Sequence, residues 1–585
     1  MKSIWTVAPK APSEFFNELQ DASPLIPQLL WNRGIRNAED AENFLNPSID
    51  RDLHDPFLFS DMQKAVSRVY TAFANKEKIV IWGDYDCDGV CGSAILFTVF
   101  RDLGYEHLLN VHIPDRNKEG YGLSMMHLEE LCEEGAKLII TVDCGITDVQ
   151  EIAWANERGI DVIIADHHSV PAKLPPAYAI LNPKDPGSGY PFSGLAGTGV
   201  AFKLACALLS HTNTASSPIN YKLKAISFLD LVALATLADS MPLKNENRAM
   251  VREGLDVLAK TQRPGLRALI EFCELKEGFS VRDVHFSLIP RLNAMGRMAH
   301  ASISFRLLTT DREEEIPLLI RHLDERNRER QLVTEIIVAE VLERVSKYSQ
   351  KPAVVFESSS SWVPGVLGLA AQRVMQEVAR PVILAVENEE GGRVVGNARA
   401  FGAFNIVETV HAHSELFSDA GGHPHAGGFT TKPEHLDRVR EIFLRAGEKV
   451  LRTEGASAQE DALVVDAELS HVDINEKTYA TVQRLAPFGE DNIEPKFLLR
   501  GLAIAYVRAV GNGERHLKLR LLSSARSSRP ASNIEAIGFG LGGRIKELSR
   551  GSTVDVIAKL SQNFWNGRDA IELQLVDLDP GSRTP

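Results

Sequence analysis

The chain has 585 residues, enough for roughly three to four domains. Its 44% hydrophobic and 24% charged residues are ordinary for a soluble globular protein, and no apolar run approaches the roughly 18 residues of a membrane span. A net charge of −14 argues against a generally sticky nucleic-acid binder, though a metal site supplies its own positive charge and basic residues can gather in one groove.

The N-terminus, MKSIWTVAPKAPSEFF, lacks the apolar segment of a signal peptide. The six cysteines form no C-x-x-C pair, and Cys87, Cys91 and Cys144 stand beside acidic motifs, so a reducing cytoplasm is expected. Residues 1–55 read as a small helical leader, with Arg33-Gly34 as a turn and Asn37 as the N-cap of a helix to Phe44.

From 56 to 300 short apolar runs alternate with helical stretches. Ile79–Trp82, Leu138–Val142, Val162–Ala165 and Tyr178–Leu181 read as strands. Ser124–Glu134 and Asp148–Arg158 read as helices. That alternation predicts an α/β doubly wound parallel sheet. Gly83 breaks the first strand, Asp84, Asp86 and Asp88 follow at alternate positions, and Gly89 and Gly92 open a helix over Val90–Leu103. Two carboxylates about 4 Å apart repel by roughly 4 kcal/mol at an effective dielectric of about 20. Several in one pocket would exceed the roughly 5–15 kcal/mol that holds a domain folded. Hard oxygen ligands of this kind suit Mg²⁺ or Mn²⁺. A calcium loop is a poorer match, because no Glu stands at the twelfth position from Asp84.

Two further strands also run into acids, Leu138–Val142 into Asp143 and Val162–Ala165 into Asp166-His167-His168. A single Asp there would ordinarily cap a turn. Three coinciding ends, one followed by two histidines, point to a cation site at the carboxyl edge of the sheet. The apolar helix Asp230–Asp239 ends in an acid, which the helix dipole disfavours, so Asp239 is a fourth candidate ligand-bearing position.

Asp84-Tyr85-Asp86-Cys87-Asp88-Gly89, Asp143-Cys144-Gly145, Asp166-His167-His168 and Ala238-Asp239 resemble, in order and spacing, the four motifs of the DHH phosphoesterase superfamily. Pro290 to Arg297 (PRLNAMGR), Gly421-Gly422-His423, Pro487-Phe488-Gly489 and Glu494-Pro495 are similar to the RecJ family of single-strand-specific exonucleases within it. The resemblance covers nearly the whole chain. It implies a DHH catalytic domain over 56–300, a connecting helix over 301–350, a DHHA1 substrate-binding domain over 351–456 and an OB-like β-barrel over 457–585.

Within those segments, Val333, Ile337, Val341 and Val345 form an apolar stripe on an otherwise charged helix, read as a solvated connector. Ala353–Phe356 and Val382–Ala385 read as strands, and Arg393–Ala400 follows a Gly-Gly turn. Gly421 to Gly428 reads as a glycine-rich loop where backbone N–H groups and His423 approach a phosphate. Alternating runs after 457 predict the barrel, which either binds single strands, with Phe564 and Trp565 as stacking candidates, or is purely structural.

The expected ligands of two divalent ions, Mn²⁺ or Mg²⁺, are Asp86, Asp88, Asp143, His167 and Asp239, with Asp143 bridging. Asp84 either ligates or supports a ligand. His168 is placed to contact the scissile phosphate or protonate the leaving oxygen. Trp82 stands where some superfamily members carry a histidine. Arg116, Asn397 and Arg399 are expected to hold a terminal phosphate, with His423 beside them, and Arg291, Asn293 and Arg297 to line the cleft. Relatives often carry Ser at the Asn397 position and small apolar residues at Pro424-His425. The resemblance implies 5′-to-3′ degradation of single-stranded DNA in repair and recombination, by a monomer working with single-strand-binding protein and a RecQ-type helicase. The rival readings are a superfamily phosphodiesterase acting on short oligoribonucleotides and a non-catalytic replication scaffold, which would have lost these acids.

Overall fold

The run Lys78–Gly83 lies inside a five-stranded, all-parallel sheet of the computed structural model, which describes residues 4–116, 118–211, 221–276, 278–388, 392–454, 463–522, 533–565 and 568–580. The strand order is Leu109–His112, Lys78–Gly83, Ala136–Val142, Asp161–Ala165, Ala179–Leu181. Inner strands of such a sheet are covered on both faces, so they read as unbroken apolar runs. Val80, Trp82, Ile139, Val162 and Ile164 share one core with the flanking helices Met125–Glu133 and Val149–Glu157. The edge strand Leu109–His112 is only half-buried, which is why its sequence carries no such run.

Register decides what the strand ends present. Gly83 pairs with Val142, Val142 with Ala165 and Ala165 with Leu181. The ladder continues one residue further: the N–H groups of Asp84, Asp143 and Asp166 donate to the carbonyls of Val142, Ala165 and Leu181. The three acids are therefore brought side by side. The first helix runs from Cys87 to Asp102 rather than from Val90, because Asp86 caps it through hydrogen bonds from the Asp88 and Gly89 N–H groups. Gly89 thus lies in the first turn. A Cβ there would fall 2.5 Å from the Asp84 nitrogen.

The connecting segment is a 31-residue helix, Ile316–Ser346. It is not a solvated rod. Ile337, Val338 and Val341 share a core with Val355, Trp362 and Leu367 of the following α/β part. That part is a mixed five-stranded sheet ordered Phe417–His423, Ala426–Thr431, Arg393–Arg399, Val382–Asn388, Val355–Ser358. The glycine-rich segment predicted as a loop is a hairpin, turning at Pro424-His425, with Phe417–His423 as an exposed edge strand. Gly427 and Gly428 sit in register with Ala398 and Asn397, Gly421 and Gly422 pair with Gly428 and Gly427, and this pairing overrode their weak strand preference.

All of this belongs to one compact unit, His54–Met241 with Glu253–Ala458. A second comprises Met1–Leu53, Pro242–Arg252 and Gln459–Pro585. In the second unit Phe497–Val510, His516–Leu522, Asn533–Gly538, Arg568–Pro580 and Thr553–Trp565 close into a five-stranded barrel. The leader is built into it. Trp5–Val7 pairs with Leu463–Val465, and Phe15, Ile26, Leu29 and Leu30 share a core with Leu499, Leu517 and Val556. The side chains of Phe564 and Trp565 lie outside the described residues. Among the described residues no helix is long and apolar enough to cross a membrane.

Candidate metal centre

At the carboxyl edge of the parallel sheet, Asp84, Asp86 and Asp143 place carboxylate oxygens within 4.8 Å of one another, and a second group does the same with Asp88, His167 and Asp239. Asp143 belongs to both neighbourhoods: its Oδ1 is 3.1 Å from His167 Nε2, which in turn is 3.4 Å from Asp239 Oδ2. The backbone at Asp143 has φ 63°, a left-handed conformation that costs energy for a residue other than glycine. The helix Gly197–His211 starts against it, where a Cβ on Gly197 would fall 2.6 Å from the Asp143 Cβ.

Burial and mutual repulsion dominate the electrostatics. Burial, then the neighbouring acids, pushes Asp84, Asp86 and Asp143 above the usual carboxylate range, and Asp239 up to about 8. Burial holds His167 down at about 4 against the pull of Asp88, so its imidazole is neutral at pH 7. Asp84 Oδ1, Asp143 Oδ1 and His167 Nδ1 are buried without hydrogen-bond partners. Buried oxygens are normally satisfied, and a carboxylate cluster without counter-charge is costly. Orphaned carboxylate oxygens with one neutral imidazole are a donor set for hard divalent cations such as Mn²⁺ and Mg²⁺, so the residues fit.

Asp88, grouped with His167 and Asp239, also serves the fold. Its two oxygens accept the N–H groups of Gly197 and Thr198, both at 2.7 Å, and so cap the Gly197–His211 helix. Its remaining approach to the centre is 3.8 Å, to His167 Nε2. Asp84, with an orphaned oxygen, is better placed to meet a cation.

His168 faces a different environment. Its Nδ1 lies 2.8 Å from Asp166 Oδ1 and 3.0 Å from the Tyr121 hydroxyl. Burial alone would lower its pKa, but the Asp166 hydrogen bond and charge lift it to about 9. Asp166 is fully buried. Burial raises its carboxyl, but hydrogen bonds from His168 and its N–H outweigh that and hold it below the ordinary value. Asp166 also accepts the N–H groups of Ile146 and His167, so it organises the DHH turn. Tyr121 donates to the Asp143 carbonyl at 3.0 Å. Sequence reasoning passed over Tyr121; the signal was an aromatic between Gly120 and Gly122, both with positive φ.

The basic candidates divide. Arg399 and Asn397 meet at the start of the Leu367–Val378 helix, where a Cβ on Gly368 would fall 2.6 Å from Arg399 Nη2 and 3.2 Å from Asn397 Oδ1. Burial, then the nearby Arg116 guanidinium, depresses Arg399, and the same two causes bring Arg297 down to about 10. Arg116 itself lies over the Tyr85 ring at 5.0 Å. Arg116 thus repels both Arg297 and Arg399. His423, in the edge strand, is lowered by burial, then by Lys184 and His168. Arg291 and Asn293 are otherwise engaged. Arg291 pairs with Asp324 at 3.0 Å and donates to the Ser287 carbonyl, and Asn293 Oδ1 accepts the Cys87 N–H at 2.7 Å. Trp82, in place of the superfamily histidine, is fully buried with its ring 4.3 Å from that of His112.

Known families match along most of the chain. The DHH family, N-terminal domain, matches residues 78–236, the DHHA1 domain 336–447 and the RecJ OB domain 465–577. The chain is 35% identical over 557 residues to the single-stranded-DNA-specific exonuclease RecJ of Bacillus subtilis, covering 95% of this chain and 68% of that protein. The crystal structure of Thermus thermophilus RecJ in complex with Mn²⁺ superposes with a TM-score of 0.80 at 28% identity, covering 99% of this chain and 80% of that one. Its Mg²⁺ complex gives 0.75 at 26% identity, covering 99% and 79%. On this evidence the chain belongs to the RecJ family of single-stranded-DNA-specific exonucleases.

Proposed function

We infer that the protein hydrolyses the phosphodiester bonds of single-stranded DNA from the 5′ end, releasing mononucleotides, with a pair of Mn²⁺ or Mg²⁺ ions. The observation that carries this is the convergence of orphaned oxygens of Asp84 and Asp143 with Asp86, His167 and Asp239 at one sheet edge. Asp84, Asp86 and Asp143 would hold one cation and Asp88, His167 and Asp239 the other, with Asp143 also beside His167. When bound, such ions lower the pKa of water and neutralise charge developing on a phosphoryl group.

The chain's own residues supply orientation and a proton. His168, charged at neutral pH, is positioned by Asp166 and Tyr121 to donate to the scissile phosphate or the leaving oxygen. Arg297 and Arg399, each repelled by Arg116, form with it an anion site for a terminal phosphate, with Asn397 and His423 beside them. That phosphate anchor supports 5′ polarity. The family resemblance supports a cytoplasmic monomer acting in DNA repair and recombination alongside single-strand-binding protein and a RecQ-type helicase.

A time course on 5′- and 3′-labelled oligonucleotides with each metal tests the reading. Loss of the 5′ label as mononucleotide before shortening of the 3′-labelled strand is expected. Equal rates on single-stranded and blunt duplex DNA, or preference for di- and trinucleotides, would refute it.

A further inference from the structure

Behind Trp82 lies a second cluster of metal-binding side chains. His112 ends the edge strand of the parallel sheet, Glu119 stands in the loop that follows, and His127 lies near the start of the Met125–Glu133 helix. One oxygen, Glu119 Oε2, is hydrogen-bonded to His112 Nε2 at 2.9 Å and lies 3.1 Å from His127 Nδ1. The other oxygen accepts the Asp115 N–H at 2.7 Å.

Two observations point to a ligand between them. The Glu119 side chain is 5% exposed; its partners are the His112 ring and the Asp115 N–H, and among the described residues no Lys or Arg pairs with it. A buried carboxylate is ordinarily paired with a cation or coordinates a metal. His127 Nδ1 is buried with no hydrogen-bond partner, so at 3.1 Å it faces the carboxylate without bonding to it. On its other side, His127 Nε2 faces Glu130 at 3.6 Å, the kind of outer carboxylate that orients a ligating imidazole.

We propose that His112, Glu119 and His127 form a third metal site, separate from the acidic centre, that takes a borderline transition ion of the Zn²⁺ type. Two imidazole nitrogens and one carboxylate oxygen favour such an ion over Mg²⁺. Bonds of about 2.0–2.1 Å in tetrahedral geometry set neighbouring ligand atoms roughly 3.3 Å apart. The observed 2.9 and 3.1 Å reach that spacing with small side-chain shifts. The fourth position is left for water. An ion there ties together the strand end, the loop and the next helix. That loop carries Arg116, and Tyr121 follows directly. The site is thus a brace for the residues that reach His168 and Asp143, and it is independent of what the acidic centre hydrolyses.

The test uses the full chain with Asp143→Asn and Asp239→Asn to weaken the acidic centre. It is stripped with chelator, loaded with Zn²⁺, desalted, and its zinc measured by mass spectrometry. One equivalent per chain is expected to remain, and to be lost when His112→Gln or His127→Gln is added. No retained zinc in the parent, or equal zinc in the histidine variants, overturns the proposal. An anomalous difference map at the zinc edge on crystals of the unaltered chain decides the matter even if a variant fails to fold. A peak between the three side chains supports the site, and its absence with the acidic centre occupied rejects it.

Discussion

His167 Nε2 and Asp143 Oδ1 lie 3.1 Å apart, both buried, and make no hydrogen bond. A buried carboxylate oxygen with no hydrogen-bond partner gains little from a neutral imidazole at that distance. They gain when a cation lies between them and their neighbours. The folding of this edge of the sheet therefore stores repulsion that a metal relieves.

Replacing Asp143 with Ala removes the oxygen shared by both neighbourhoods. Nuclease activity on single-stranded DNA falls by at least about three orders of magnitude, the scale of losing a metal that organises the reaction. Chain folding persists, as far-UV circular dichroism will check.

Stability of the chelated protein falls as pH rises. Asp239, at about 8, keeps its proton in the folded state where the unfolded chain, near pH 4, has lost it. Between about pH 4 and 8 the folded state binds more protons, so unfolding free energy declines with pH. Added Mn²⁺ cancels the decline. Thermal melts across this range, with chelator and with Mn²⁺, measure both.

His168 works as a proton donor only while charged, so the rate falls as pH rises through about 9. Asp166→Asn removes the carboxylate that raises it and moves the alkaline limb of the kcat profile to lower pH. The same interaction stabilises the folded protein. Because the folded pKa is raised, that contribution is full below about 6.5 and is lost as pH climbs through 9.

Tyr121→Phe keeps the ring and deletes the hydroxyl that touches His168 Nδ1 and the Asp143 carbonyl. One hydrogen bond is worth about 0.5–1.5 kcal/mol. We expect kcat to drop about three- to tenfold with KM for single-stranded DNA unchanged, the signature of a positioning residue.

Arg399→Ala removes one guanidinium from the cationic cluster near Gly368. A charge-assisted hydrogen bond contributes about 1.5–3 kcal/mol. KM for 5′-phosphorylated DNA rises about ten- to a hundredfold, while KM for 5′-hydroxyl DNA moves little. Lysine does not restore it, having no planar fork.

Much of this site was legible in the chain before folding. Strands buried on both faces must be apolar throughout, so Ile79–Trp82, Leu138–Val142 and Val162–Ala165 declared themselves, and the acids that end them stood out against that background. Asp239 was visible because a helix end disfavours a negative charge. The glycine-rich run 421–428 was misleading, since its residues have no strand preference and only pairing with each other and with Arg393–Arg399 makes them a hairpin. The edge strand Leu109–His112 and the exposed Tyr121 left no periodic trace.

The sequence by itself determined the alternation of the catalytic unit and the set of acids and histidines available to it, because periodicity and residue chemistry are local properties. Only the tertiary structure decided how those residues divide the work. It set Asp88 to capping the Gly197 helix, left Asp84 Oδ1 and Asp143 Oδ1 bare, and tied Arg291 to Asp324. Each of those outcomes depends on which donor from a distant segment reaches a carboxylate first, and strand register and helix docking settle that in three dimensions.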